Sequence, residues 1–213
     1  MKDTVEQIYY NGYTINIYYD ENTESPSEWG DDSLFLIANH RNFYVKPPTC
    51  PRKNSSMNDD RPYFDSAIDD YKDTHHIFGL EAYIHSGISL SISYEGDFPD
   101  RRWDVSQLGL VFASKECWPK KEKAKEVVEG YIETWNDYLG GNVYYYKIEN
   151  SEEEEEDDLG CGGWYGYNFE KSGLLIEAKA EIDFLIKERI KEAIRDTEEQ
   201  KQIHNNLQLI EVY

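Results

Sequence analysis

Apolar and polar positions are patterned most strongly between Ile77 and Ile148. That stretch reads as strand, hairpin, strand, helix, strand. Val128, Ile132, Trp135 and Leu139 recur at steps of four, three and four, so they share one helical face. The spacing predicts a helix from about Trp118 to Leu139, with Tyr131 and Tyr138 flanking the stripe and Lys, Glu and Asp on the opposite side. Ser114 is the expected N-cap, Pro119 suits the first turn, and Gly140-Gly141 ends the helix. Ile77 to Ile84, Leu108 to Ala113 and Val143 to Ile148 read as strands. After the turn His85-Ser86-Gly87, Ile88, Leu90, Ile92 and Tyr94 alternate with serines and are expected to face inward.

The flanks carry weaker patterns. Asn11-Gly12 sits between two alternating runs and predicts a hairpin, because both turn positions need positive φ. Tyr13, Ile15, Ile17 and Tyr19 should share one side. Leu34 to Ala38 reads as a buried strand that Asn42 to Val45 continues or pairs, and Tyr63 to Asp73 as a short helix with Phe64, Ile68 and Tyr71 on one face. Lys46 to Pro62 is a proline-rich, basic loop. A last helix is expected from Leu174 to about Gln202, capped by Ser172, with Ile182, Ile186, Ile190 and Ala193 as its stripe and Leu185 and Ile194 beside it. Leu207 to Tyr213 reads as an edge strand or docked tail.

The fold class is therefore α+β: a mixed or antiparallel sheet of roughly six to eight strands, one long helix packed on it, and a C-terminal helical arm. Strands precede the first long helix in a run, which argues against regular βαβ winding. The expected division is a core at 1–170 and an arm at 171–213, the arm being the surface for self-association into a homodimer.

Charge then narrows the function. The 213 residues carry 43 acids against 22 bases, a net −21. So acidic a chain repels phosphate backbones, which disfavours direct nucleic-acid binding, and it attracts basic protein surfaces. Eighteen tyrosines supply half-buried strand positions and contact surface. Cys50, Cys117 and Cys161 are odd in number and lie in no CxxC spacing, which fits free thiols in a reducing cytoplasm. No run approaches the ~20 apolar residues of a membrane span, and residues 1–4 lead into polar sequence without a signal-peptide pattern.

Two acidic stretches are the candidate partner-binding residues. One is the loop of Asp20, Glu21, Glu24, Glu28, Asp31 and Asp32. The other is the unbroken run Glu152, Glu153, Glu154, Glu155, Glu156, Asp157 and Asp158, whose mutual repulsion keeps it solvated. The first lacks the acid spacing and central glycine of a calcium loop, and no metal or cofactor is expected. The glycine-rich Leu159 to Tyr167 lacks the Gly-Lys-Ser/Thr ending of a phosphate loop. His40, His85 and Asp20 come from strand ends and turns and are the candidates for a small enzyme acting on a nucleotide or defence signal. Ser86 beside them lacks the elbow that exposes a nucleophile.

Tyr18-Tyr19-Asp20-Glu21, Ser25-Pro26, Glu28-Trp29, His40, His85-Ser86-Gly87, Trp103-Asp104, Gln107-Leu108-Gly109 and Gly163-Trp164-Tyr165-Gly166 follow an ordered pattern. It resembles a widespread family of uncharacterised acidic proteins of phages, prophages and plasmids, over about Gly12 to Phe169. Asp104-Val105-Ser106-Gln107 departs from the family's usual Asp-Ser-Gly-Gln. The resemblance implies a phage-type origin and the cytoplasm of a host cell, and it carries over no catalytic residue. With the charge, it leads to the expectation of a stoichiometric inhibitor. Such a protein would engage the basic nucleic-acid-binding surface of a host defence complex, of restriction or CRISPR type, by nucleic-acid mimicry. A self-associating structural or regulatory phage protein is the remaining alternative.

Overall fold

The computed structural model describes residues 4–41, 43–46, 60–150 and 159–210, with side chains described for all of these except 60–63 and 203–210. The class is α+β, as the pattern predicts, but the strands form two antiparallel sheets. The chain divides into two compact units, one of residues 1–20 and 144–213, the other of residues 21–143.

The discontinuous unit holds a four-stranded sheet in the order β1-β2-β8-β9. β1 (Glu6–Tyr10) and β2 (Tyr13–Tyr19) form the expected hairpin. Asn11 and Gly12 both take positive φ, 50° and 91°, as a tight two-residue turn between twisted strands requires. β2 then pairs with β8 (Val143–Asn150), placing Ile15 opposite Ile148 and Ile17 opposite Tyr146. β9 (Gly160–Tyr165) is the outer strand. Tyr13, Ile15 and Ile17 are buried, but Tyr19 at the strand end is half exposed, and Asn16 on the opposite face is buried as well. Asn16 is satisfied there, its Oδ1 accepting from Gln7 Nε2 at 2.6 Å.

The last helix, α4 (Leu174–Ile210), covers this sheet with its first turns only. Leu174, Leu175, Ala178 and Ile182 join Ile15, Ile17, Tyr146 and Ile148 in one core. Polar contacts fix the docking: Tyr146 Oη donates to Glu181 at 2.8 Å, and Asn11 Nδ2 donates to Asp183 at 3.1 Å. Of the expected stripe, Ile182 is buried and Ile186 half-buried, but Ile190 and Ala193 are exposed, as is Ile194 beside them, because the helix continues past the sheet it covers. Residues 207–210 continue that helix and do not form an edge strand, and 211–213 lie outside the described residues.

The continuous unit is a helix–sheet–helix sandwich. Its five strands run in the order β4-β3-β7-β5-β6, all antiparallel. They are β3 (Leu34–His40), β4 (Phe43–Val45), β5 (His75–Ile84), β6 (Ile88–Ile92) and β7 (Val105–Ser114). α3 (Lys121–Leu139) packs Ala124, Val128, Ile132 and Trp135 on one face, against Leu36, Leu80, Leu108 and Val111. α1 (Asp60–Tyr71) packs Ala67 on the other face, against Phe35, Ile37 and Phe112. A strand buried on both faces needs apolar residues without alternation, which is what Leu34 to Ala38 and Leu108 to Ala113 offer.

Four expectations shift in this unit. α3 starts at Lys121, with Lys120 as an extended N-cap that makes no side-chain bond. Ser114 ends β7 and caps a turn, its Oγ accepting from the Glu116 amide at 3.2 Å. Tyr94 faces solvent, 82% exposed with φ 68°, because the chain leaves β6 at Ile92. The strand at 143–148 belongs to the other sheet. The helix stop is as expected in residue and finer in detail. Gly140 stays right-handed while Gly141 takes φ 72°, and Asn142 and Gly141 amides donate to the Asp137 and Tyr138 carbonyls, a Schellman cap.

Candidate partner-binding surface

The acidic loop is ordered by its own carboxylates. Ser25 opens a single turn, Pro26–Glu28, with a reciprocal cap: the Ser25 amide donates to Glu28 Oε2 at 2.9 Å, and Ser25 Oγ accepts from the Ser27 amide at 3.3 Å. Asp31 Oδ1 accepts from the Ser33 amide at 2.7 Å. Asp20 belongs to the other unit, where its Oδ2 accepts from the Gly163 amide at 3.0 Å. Asp20, Glu28 and Asp31 therefore hold backbone. Glu21, Glu24 and Asp32 are exposed on the turns so fixed.

Beside this loop Trp29 is 47% exposed. It lines a hollow of 110 Å³ with Asp31, Leu34, Val45, Lys46 and Tyr131. Ligand clefts for drug-sized molecules are several times larger, so the space suits one inserted side chain. Burial raises the Tyr131 hydroxyl pKa, and nearby Asp31 adds to the rise, so this phenol stays neutral. Exposed tryptophan is a residue type enriched at protein contacts.

The second acidic run, Glu152 to Asp158, lies outside the described residues, as does most of the basic loop after Lys46.

The candidate catalytic residues are placed as follows. His40 ends β3 opposite Phe43. His85 follows β5, with Nδ1 3.6 Å from Asp104 Oδ2 and its ring stacked on Tyr83 at 6.1 Å. Asp20 lies in the other unit and is bonded to Gly163. Among the described residues no three His, Cys, Asp or Glu side chains gather where a metal ion would be held. His75 and His76 are structural, donating to the Asp32 and Trp118 carbonyls at 3.1 and 3.0 Å.

One group escapes the sequence reading altogether. Glu81 is completely buried, yet it accepts from the Tyr94 amide at 2.9 Å, the Gly96 amide at 3.3 Å and Arg101 Nη2 at 2.9 and 2.7 Å. Burial alone would raise its pKa, but these donors outweigh it and hold the carboxyl below its ordinary range. The carboxylate thereby ties down the loop 94–101, which carries left-handed Tyr94 and Asp100 and leads into the exposed Trp103 of α2 (Arg101–Asp104). The signal was a lone acid between Leu80 and Ala82 in the otherwise apolar run Ile77 to Ile84.

Comparison with protein-family models, with curated proteins and with solved structures finds no match to this chain. No helix among the described residues is long and apolar enough to cross a membrane.

Proposed function

We propose that this protein acts by occupancy, as a stoichiometric inhibitor that seats its carboxylates on the basic nucleic-acid-binding surface of another protein. One observation carries the reading: Glu21, Glu24 and Asp32 are exposed on a loop that Glu28 and Asp31 lock through backbone bonds, in a chain of net −21. Pre-ordered charge attracts a basic groove without the entropic loss of ordering a loose acidic segment. Trp29 supplies an apolar anchor at the same place. The resemblance to phage, prophage and plasmid proteins makes a restriction or CRISPR-type complex in the host cytoplasm the kind of target.

The test is phage plating on hosts that each carry one defined restriction or CRISPR system. Expression of the chain restores plating on at least one of them. Replacing Glu21, Glu24 and Asp32 with Gln, Gln and Asn, together with serine at 152–158, abolishes the rescue. With the purified target, inhibition weakens as salt rises from about 50 to 300 mM, where screening shortens. No rescue on any host, or inhibition indifferent to both salt and acid removal, overturns the proposal.

A further inference from the structure

α4 is 37 residues long, about 55 Å, and only its beginning has a sheet to cover. From Lys191 to Gln202 every residue is exposed. In proteins most helical stability comes from packing an apolar face against a partner. Such a face exists. Ile176, Phe184, Ile190 and Ile194 are 68, 61, 54 and 55% exposed. Ile176, Ala180, Ile190, Ile194 and Thr197 share one sector when the helix is wound at about 3.5 residues per turn, the period of a left-handed helix pair; Asp183 and Lys187 fall in the same sector and divide it, so the patch open to a partner is Ile190, Ile194 and Thr197. Thr197 leaves no polar group unsatisfied there, since its hydroxyl donates to the Ala193 carbonyl at 2.7 Å.

The charges say what covers this face. Between Lys187 and Arg195 there are four bases and two acids; between Asp196 and Gln202 there are three acids and one base. In a chain so acidic, this is a balanced segment with a basic half followed by an acidic half. Two copies side by side and parallel would set like halves together. Two copies antiparallel set each basic half on the other's acidic half, and the same patch serves both chains, as a two-fold interface requires.

We infer that α4 is a self-association arm. Two chains pair antiparallel through Ile190, Ile194 and Thr197, centred near Ile194, with Lys187 of one chain level with Gln202 of the other. This pairing stands apart from the inhibitor reading, and either holds without the other.

The test uses the full chain. Sedimentation at micromolar concentration gives twice the 25.0 kDa chain mass. Ile190→Glu with Ile194→Glu returns it to the single-chain mass, with thermal unfolding of the β-sheet core unchanged. Direction is read by cross-linking in a background with Cys50, Cys117 and Cys161 replaced by Ser. Lys187→Cys and Gln202→Cys chains form a disulfide when mixed, and neither does so alone. A single-chain mass up to about 100 µM (a Kd too weak to matter), a dimer that survives the double Glu variant, or disulfides within each variant alone would each overturn the inference.

Discussion

Arg101 Nη2 lies 2.7 Å from Oε2 of Glu81, whose side chain is wholly removed from solvent while the arginine stays 37% open. The two partners are unequal. Removing Arg101 leaves a buried carboxylate short of its charged donor, whereas removing the charge on Glu81 leaves an arginine that water can reach. We expect Arg101→Ala to destabilise residues 21–143 by about 2–3 kcal/mol and Glu81→Gln by about 1–2 kcal/mol. Urea unfolding at neutral pH measures both, and the reverse order would contradict the account.

The same carboxylate predicts an acid dependence. Its folded pKa lies below the ordinary 4.5, so its contribution is present above that value. It is lost as pH falls from 4.5 through the lower folded pKa. Wild-type unfolding free energy should therefore drop more steeply between about pH 5 and 3 than that of Glu81→Gln. Parallel curves for the two proteins would assign the acid sensitivity elsewhere.

Tyr146 predicts the opposite limb. Burial raises its pKa, and the hydrogen bond to Glu181 raises it further, so the folded state prefers the neutral phenol. Stability from this pair is complete below the ordinary value of 10.0 and is lost as pH rises above it. Tyr146→Phe should cost about 1 kcal/mol at neutral pH. It should also soften the alkaline loss, measured by chemical unfolding at about pH 7 and 10.5.

Gly109 sits in the central strand β7, paired with Ala38 on one side and Leu80 on the other. A Cβ there would collide with the Ile37 carbonyl, which is sheet backbone and has no room to yield. Gly109→Ala is expected to cost about 3 kcal/mol, read as a lowered thermal midpoint. Gly12→Ala also costs stability through its φ of 91°, though open space surrounds it.

Local chemistry made much of this molecule legible in advance. Asn11-Gly12 dictates a tight hairpin because few other pairs accept two positive φ values in succession. Val128, Ile132 and Trp135 dictate the buried face of α3, and Gly141 its end, since these depend only on helical period and backbone freedom. The exposed acids of the 20–32 loop were visible as charge, but the backbone bonds that Glu28 and Asp31 accept were not. Glu28 and Asp31 are spent on amides that only a folded turn presents.

What the tertiary structure alone decided involves partners far apart in the chain. β2 meets β8 across more than a hundred residues, which separates the strands of the described residues into two sheets where the pattern implied one. Alternation fixes which face of a strand is buried, but not which strand lies beside it. Glu81 shows the same limit: nothing next to it in sequence marks Tyr94, Gly96 and Arg101 as its donors. The sequence determined periods, the glycine stop of α3 and charge because those arise between neighbours. Sheet membership and the burial of one carboxylate arise from distant segments brought together, and folding alone settles them.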